Sequence, residues 1–254
     1  MQKEIRQSAP AGWAVFGLVG SCYLLATVGA AVMAGFVLLL GLNLLPPEQE
    51  PADAAAWLID VGWLSLFALQ HSGMARQGFK SWWTRIIPDY LERSIYAALS
   101  GLVVLGMCLT WQPLGGEPLW RLPSAFGVVG LLGAAAISLL LLRFDSLSLL
   151  GVRQFRERGH VGNDRLLVLG PYRWVRHPLM GCLIVFLWCQ PVMRPTLALF
   201  SGGITLYILG ALALEERDLV RRFGQAYRDY RRRVPLLVPW RPPAPASTAD
   251  EVAA

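Results

Sequence analysis

The chain has 254 residues, of which 55 % are hydrophobic and only 16 % charged, and its net charge is +6. Soluble domains carry about 25 % charged residues, so the composition excludes disorder, collagen, coiled coil and an ordinary soluble domain. Four cysteines, all in apolar runs, exclude a secreted disulfide scaffold, which leaves an all-α, polytopic membrane protein.

A bilayer core about 30 Å thick asks for roughly 20 apolar residues per helix. Runs near that length occupy residues 12–42, 54–69, 94–111, 123–142 and 196–214, with a shorter one at 179–193. The first is too long for a cleavable signal and has no small-residue cleavage site before soluble sequence, so it reads as a retained helix. The second is interrupted by Asp60. Between the last two runs stands Arg194-Pro195. Proline stops a helix and arginine is costly in lipid, so this pair predicts two antiparallel helices joined by a tight turn. About six transmembrane helices result, four of them in residues 1–142.

Charge decides their orientation. Alternate connecting segments carry 21 Lys and Arg on one side and 2 on the other, the latter being Arg121 and Arg194. The positive-inside rule puts both termini in the cytoplasm. The basic residues thus form a ring at the membrane face, where anionic lipid headgroups attract each by about 1 kcal/mol. They are a footprint for membrane lipids and not for nucleic acid. The Pro- and Ala-rich residues 241–254 read as a disordered tail.

Polar signals concentrate in residues 143–240. Gly170-Pro171-Tyr172-Arg173-Trp174-Val175-Arg176-His177-Pro178 precedes the fifth run. Proline suits the first turn of a helix, so His177 sits at a helix mouth. Such a residue is either an interfacial cap between aromatic anchors or part of a site. Glu215-Glu216 follow the sixth run directly, where carboxylates against hydrocarbon are costly without partners. Arg217, Arg173 and Arg176 are the candidates. Neighbouring helical residues point about 100° apart, so one carboxylate can face inward while the other pairs at the surface. Beyond them Leu219, Phe223, Tyr227, Tyr230 and Val234 form one apolar stripe between arginine-rich faces. This predicts an interfacial amphipathic helix that anchors to the membrane and can roof a pocket.

Other chemistries find no support. Cys22, Cys108, Cys182 and Cys189 lack metal-ligand spacing, and His71, His160 and His177 form no paired pattern, so no metal site is expected. There is no phosphate loop and no nucleophile motif.

Taken together, the 170–181 motif, the short hairpin, Glu215-Glu216, Phe223-Gly224-x-x-Tyr227-x-x-Tyr230 and Val234-Pro235 resemble the integral-membrane methyltransferases, which include isoprenylcysteine carboxyl and phospholipid N-methyltransferases. The front half is similar to a narrower branch, the bacterial methanethiol S-methyltransferases and NnrU-like proteins, through Leu69-Gln70-His71-Ser72, Trp82-Trp83-Thr84-Arg85, Glu92-Arg93-Ser94 and Trp111-Gln112-Pro113. The resemblance implies S-adenosylmethionine in a cytoplasmic-face pocket under the C-terminal helices of a bacterial inner-membrane protein. It places the cofactor against Asp164, Arg165, Leu166, Leu167, Gly170, Tyr172, His177, Pro178, Met180 and Glu215, with Arg176 and Glu216 supporting. The acceptor is a small hydrophobic thiol, methanethiol first, or another lipid-soluble molecule. Met180 departs from the aromatic usual there, and Ala211 replaces an arginine of the prenylcysteine enzymes, which counts against a carboxylate acceptor. A thiolate is the better nucleophile. His71 or His177 can take the thiol proton, and Arg153 can steady the developing thiolate. Two alternatives stand beside this reading: methylation of a lipid amine or isoprenylcysteine-type acceptor, and a non-enzymatic NnrU-like accessory protein.

Overall fold

The computed structural model describes residues 13–41, 53–141, 166 and 168–246. Helix α1 (Trp13–Gly41) is followed by α2 (Ala54–Ala75), the short α3 (Gln77–Trp83) and α4 (Asp89–Thr110). Then come strand β1 (Trp120–Arg121), α5 (Ala125–Leu141), a 3₁₀ turn (Gly170–Arg173), α6 (Pro178–Trp188), strand β2 (Val192–Met193), α7 (Pro195–Phe223) and α8 (Gln225–Arg233). Among the described residues, three helices are long and apolar enough to cross a membrane: α1 over Val15–Leu40, α4 and α7. The expectation of six spans is met only in this coarser form. Helix α5 has 17 residues and α6 has 11; at 1.5 Å per residue, α6 reaches about half of a bilayer core. Helix α2 is 22 residues long and carries Asp60, Gln70 and His71, and it is not among the three.

The chain forms two compact units that interleave along the sequence. One comprises Met1–Val37, Gly62–Trp111 and Asp145–Val161; the other comprises Leu38–Val61, Gln112–Phe144 and Gly162–Ala254. In the first unit α1 and α4 approach backbone to backbone. A Cβ on Gly101 would lie 2.8 Å from the Leu25 carbonyl oxygen and 3.0 Å from the Ala26 Cα. Small residues permit such crossings, where close packing rather than a hydrophobic drive holds membrane helices together. Gly101→Leu is therefore expected to cost at least about 3 kcal/mol, the upper end for overpacking, because the obstructing atoms are backbone. Gly35→Ala, whose Cβ would meet nothing within 4 Å, should leave the melting temperature in detergent unchanged. Equal melting of both variants with wild type would refute the crossing.

In the second unit the predicted hairpin is present. Helix α6 ends at Trp188, and α7 starts with Pro195 in its first turn after Arg194. The turn also carries a feature outside an all-α reading. Residues 192–193 pair antiparallel with 120–121, Trp120 opposite Met193 and Arg121 opposite Val192. The ribbon satisfies backbone groups that the turn leaves exposed, and Trp120 stacks on Trp188 with ring centroids 6.1 Å apart. Two strand residues lack helical periodicity, so the pattern of apolar residues could not announce them. Helix α5 packs on α6 through glycines. A Cβ on Gly130 would meet the Cys189 carbonyl oxygen at 3.3 Å, and one on Gly133 the Cys182 carbonyl oxygen at 3.2 Å.

Two further readings are corrected by the coordinates. The stripe from Leu219 to Val234 is not one helix, because α7 ends at Phe223 and Gly224 adopts φ 58°, the left-handed region that favours glycine. Nor is the stripe spent on lipid: Tyr227 is 2 % and Val234 0 % exposed, so the apolar face of α8 packs on protein. Of residues 241–254, read as a disordered tail, 241–246 are described and the rest lie outside the described residues. Ala244 is buried, its N–H donates to the Arg173 carbonyl (2.9 Å), and its own carbonyl accepts from Arg173 Nε (2.6 Å).

Candidate active site

The site is built in the second unit from three pieces of chain. The first is the 3₁₀ turn and the start of α6, where Gly170 at φ 52° reverses the chain and Pro178, lacking an N–H, occupies the first helical turn. That leaves His177 at the N-cap position, buried, with its side chain free of capping duty. The second is α7, which runs 29 residues without a break and so carries Glu215 and Glu216 beyond the apolar run. The third is α8 with the segment after it. Extended backbone pairs the first and third pieces: Arg176 N–H donates to the Pro235 carbonyl (2.9 Å) and His177 N–H to the Leu236 carbonyl (3.1 Å).

Glu216 is the hub. Its side chain is 9 % exposed, and four groups converge on its two oxygens. Oε2 accepts from Arg176 Nη1 at 2.6 Å and forms an ion pair with Arg231 Nε at 3.1 Å. Oε1 accepts from Tyr227 Oη at 2.6 Å and from His177 Nε2 at 3.0 Å. The last bond requires the proton on Nε2, which directs Nδ1 away from the hub. A buried carboxylate is tolerable only with this degree of pairing. Burial, followed by the hydrogen bond to Glu216, pushes the Tyr227 hydroxyl far above its usual range, so it remains a donor. Tyr230 extends the frame by donating to the Tyr172 carbonyl at 2.7 Å.

Glu215 points elsewhere. Its side chain is 54 % exposed, and Oε2 lies 4.0 Å from His177 Nδ1. The Tyr172 hydroxyl is also held up, first by burial and then by the charge of Glu215. Tyr172, the Nδ1 edge of His177 and Glu215 therefore share one electrostatic environment. Arg176 contributes a further unmet demand: its Nε is buried and has no hydrogen-bond acceptor among the described residues.

Of the residues expected at the site, the structure brings together Tyr172, Arg176, His177, Pro178, Glu215 and Glu216. Gly170 supplies the turn, Met180 lies half-buried on the first turns of α6, and Leu166 is half-buried. Asp164, Arg165, Leu167 and Arg153 lie outside the described residues. His71 belongs to the other unit, where its Nδ1 is 3.2 Å from Ser100 Oγ. Sequence reasoning missed Tyr227 and Arg231 as hub members. The tyrosine was counted as apolar stripe, although a buried phenol needs a partner for its hydroxyl, and that need was the available signal.

The 170–181 and 215–234 motifs, which resemble those of the integral-membrane methyltransferases, thus close on one carboxylate. The chain's relatives narrow the class. The chain is 37 % identical to a methanethiol S-methyltransferase of Mycobacterium tuberculosis over 241 residues, 89 % of this chain and 95 % of that one. It is 40 % identical to methanethiol S-methyltransferase 2 of Bradyrhizobium diazoefficiens over 227 residues, 83 % and 86 % of the two chains. Nurim of Sus scrofa is 30 % identical over 187 residues, 68 % of this chain and 70 % of that one. No family model and no solved structure matches. The chain belongs to the methanethiol S-methyltransferase family.

Proposed function

We propose that the protein transfers a methyl group from S-adenosylmethionine to methanethiol, giving dimethyl sulfide, at the cytoplasmic face of a bacterial inner membrane with both termini inside. The observation that carries the donor assignment is the charge pattern around Glu216. Two arginines share one carboxylate, and the buried Arg176 Nε still lacks an acceptor. A carboxylate such as the amino-acid end of S-adenosylmethionine meets that demand, and the half-exposed Glu215 suits its ammonium group. The residues therefore fit the cofactor. Tyr172, Pro178, Met180 and Leu166 would line it, with Gly170, Asp164, Arg165 and Leu167 beside them.

Bound there, the cofactor supplies an electrophilic methyl group on a sulfonium. The protein's part is to orient, to exclude water and to manage one proton. Glu216 holds Arg176 and His177 in place. Trp174, 50 % exposed, and Tyr172 offer aromatic faces to a cation. His177 Nε2 is committed to Glu216, so the base we assign to take the thiol proton is His71 or the Nδ1 of His177, and Arg153 is the residue we assign to steady the thiolate. The thiol that would accept the methyl gives up one proton, which would leave through the histidine base to solvent. The preference for methanethiol rests on the relatives' activity and on the apolar surroundings. The asymmetry of 21 against 2 basic residues supports the orientation, and membrane lipids are the surrounding partners.

The test is headspace detection of dimethyl sulfide from purified protein supplied with S-adenosylmethionine and methanethiol. Product above a Glu215→Ala control is expected. Cofactor binding without product would move the acceptor to a lipid amine or a larger isoprenylcysteine-type thiol. Loss of both would favour a non-enzymatic accessory role.

A further inference from the structure

Within the second unit, the segment that follows α8 lies along the turn that bears Arg176 and His177. Its backbone makes three links there. The Pro235 carbonyl accepts from Arg176 N–H (2.9 Å), the Leu236 carbonyl accepts from His177 N–H (3.1 Å), and Ala244 N–H donates to the Arg173 carbonyl (2.9 Å). The Leu237 carbonyl closes against the first turn of α6, where a Cβ on Gly181 would approach it to 3.1 Å. A tight turn follows, in which Trp240 N–H donates to the Val238 carbonyl (2.9 Å). Arg241 then folds back, donating from Nη1 to the Arg232 carbonyl near the end of α8. Its guanidinium carbon lies 4.1 Å from the centre of the Trp240 ring.

From this fixed backbone two large apolar side chains stand out: Val238 is 66 % and Trp240 65 % exposed. Single apolar residues on a surface call for no explanation, but the hub sets the depth of this pair. The apolar run of α7 ends at Leu214, and Glu216, two residues on, is about 3 Å further along the axis. Glu216 holds Arg176 and His177, and these hold Pro235 and Leu236. Val238 follows Leu236 by two residues, at most about 7 Å of chain. The pair therefore leaves the protein near the level where hydrocarbon gives way to headgroups. Charge completes the pattern, because residues 228–241 hold five arginines and one aspartate. Tryptophan favours the membrane–water boundary, and arginine spreads its stem over apolar surface while its head reaches phosphate. An anionic leaflet accommodates both.

We propose that residues 237–241 are a lipid-docking clasp: Val238 and Trp240 enter the acyl boundary of an anionic leaflet, and the arginines around them face its phosphates. The sequence placed this anchor on the stripe of α8, whose Tyr227 and Val234 are instead buried in protein. The anchoring role passes to the segment after the helix. That segment also braces the turn bearing Arg176 and His177, so the membrane surface supports the candidate site from behind. The clasp is independent of which molecule accepts the methyl group.

The experiment places the full chain in nanodiscs of phosphatidylcholine with phosphatidylglycerol and attaches a nitroxide at Val238→Cys. Wild type treated alike supplies the background of the native cysteines. Collision of the nitroxide with oxygen, which concentrates in hydrocarbon, is compared with its collision with a neutral, water-soluble nickel chelate. Arg221→Cys, on α7 beyond the apolar run and with a side chain 81 % exposed, is the aqueous reference. The oxygen-to-nickel ratio at 238 should exceed that at 221 by at least about fivefold, since the polar chelate loses its hydration on leaving water. In phosphatidylcholine alone the ratio at 238 should fall at least about twofold, because the attraction of arginine to anionic headgroups is gone. Trp240→Cys carries the same expectations should Val238→Cys not accumulate. A ratio equal to the reference would put the segment in water, and low collision with both reagents would put it under protein, such as a second copy of this chain. Either result overturns the proposal, and a high ratio indifferent to phosphatidylglycerol overturns the role given to the arginines.

Discussion

Glu216→Ala should be the most damaging single substitution in the protein. It removes the shared partner of Arg176, Arg231, Tyr227 and His177 at once. Arg176, whose side chain is 10 % exposed, would keep its charge with no anion to face. Removing one partner of a buried ion pair costs about 3–5 kcal/mol, well above the net worth of the pair itself, because desolvation is not recovered. That is a large fraction of a typical stability of about 5–15 kcal/mol. The melting temperature in detergent should therefore fall steeply, and cofactor binding should be lost with it. Tyr227→Phe removes one of the four partners and should cost about 1.5–3 kcal/mol, the range for a hydrogen bond to a charged group. Glu216→Gln should fall between the two, since it keeps the shape and one accepting oxygen but not the charge. A Glu216→Ala variant that melts like wild type would show that the four groups find other partners, and the hub would lose its structural meaning.

The neighbouring residue should behave in the opposite way. Glu215→Ala is expected to leave the stability within about 0.5 kcal/mol of wild type, as for surface substitutions generally, because its side chain is 54 % exposed. Cofactor affinity measured by calorimetry should nevertheless fall by about 10- to 100-fold, the range for one lost hydrogen bond to a charged group. The contrast is the informative part. If both variants lose stability, both carboxylates are structural and the cofactor assignment fails. If neither changes cofactor affinity, the binding site lies elsewhere. His177→Ala should resemble a milder Glu216→Ala, since its Nε2 is one of the hub's four partners and its Nδ1 faces Glu215.

Much of this arrangement was legible beforehand, for reasons that are local. Helices show in apolar runs, their ends in Pro178 and Arg194-Pro195, and the hairpin in the turn between them. The clustering of chemistry in residues 170–181 and 215–234 was visible as polar residues where lipid would forbid them without partners. Other features were misread or invisible. The six spans are met only as three helices long and apolar enough to cross among the described residues, because length and apolarity of a run do not say whether a helix such as α6 crosses or ends partway. The Gly224 break was hidden inside a stripe that keeps helical spacing on both sides. The ribbon between residues 120–121 and 192–193 joins distant pieces of chain and is too short to alternate.

Composition, periodicity and proline placement act over a few residues, and they sufficed to define a helical membrane protein with its candidate site residues clustered in residues 170–234. They could also say that one of two adjacent carboxylates must turn inward, since helical neighbours point about 100° apart. Which one turns was decided only by the fold. Glu216 is internal because α6, α7 and α8 deliver Arg176, His177, Tyr227 and Arg231 to one point, and Glu215 is left half-exposed by the same geometry. A charge takes its role from the donors that reach it, and those donors are brought together by tertiary packing and not by their order in the chain.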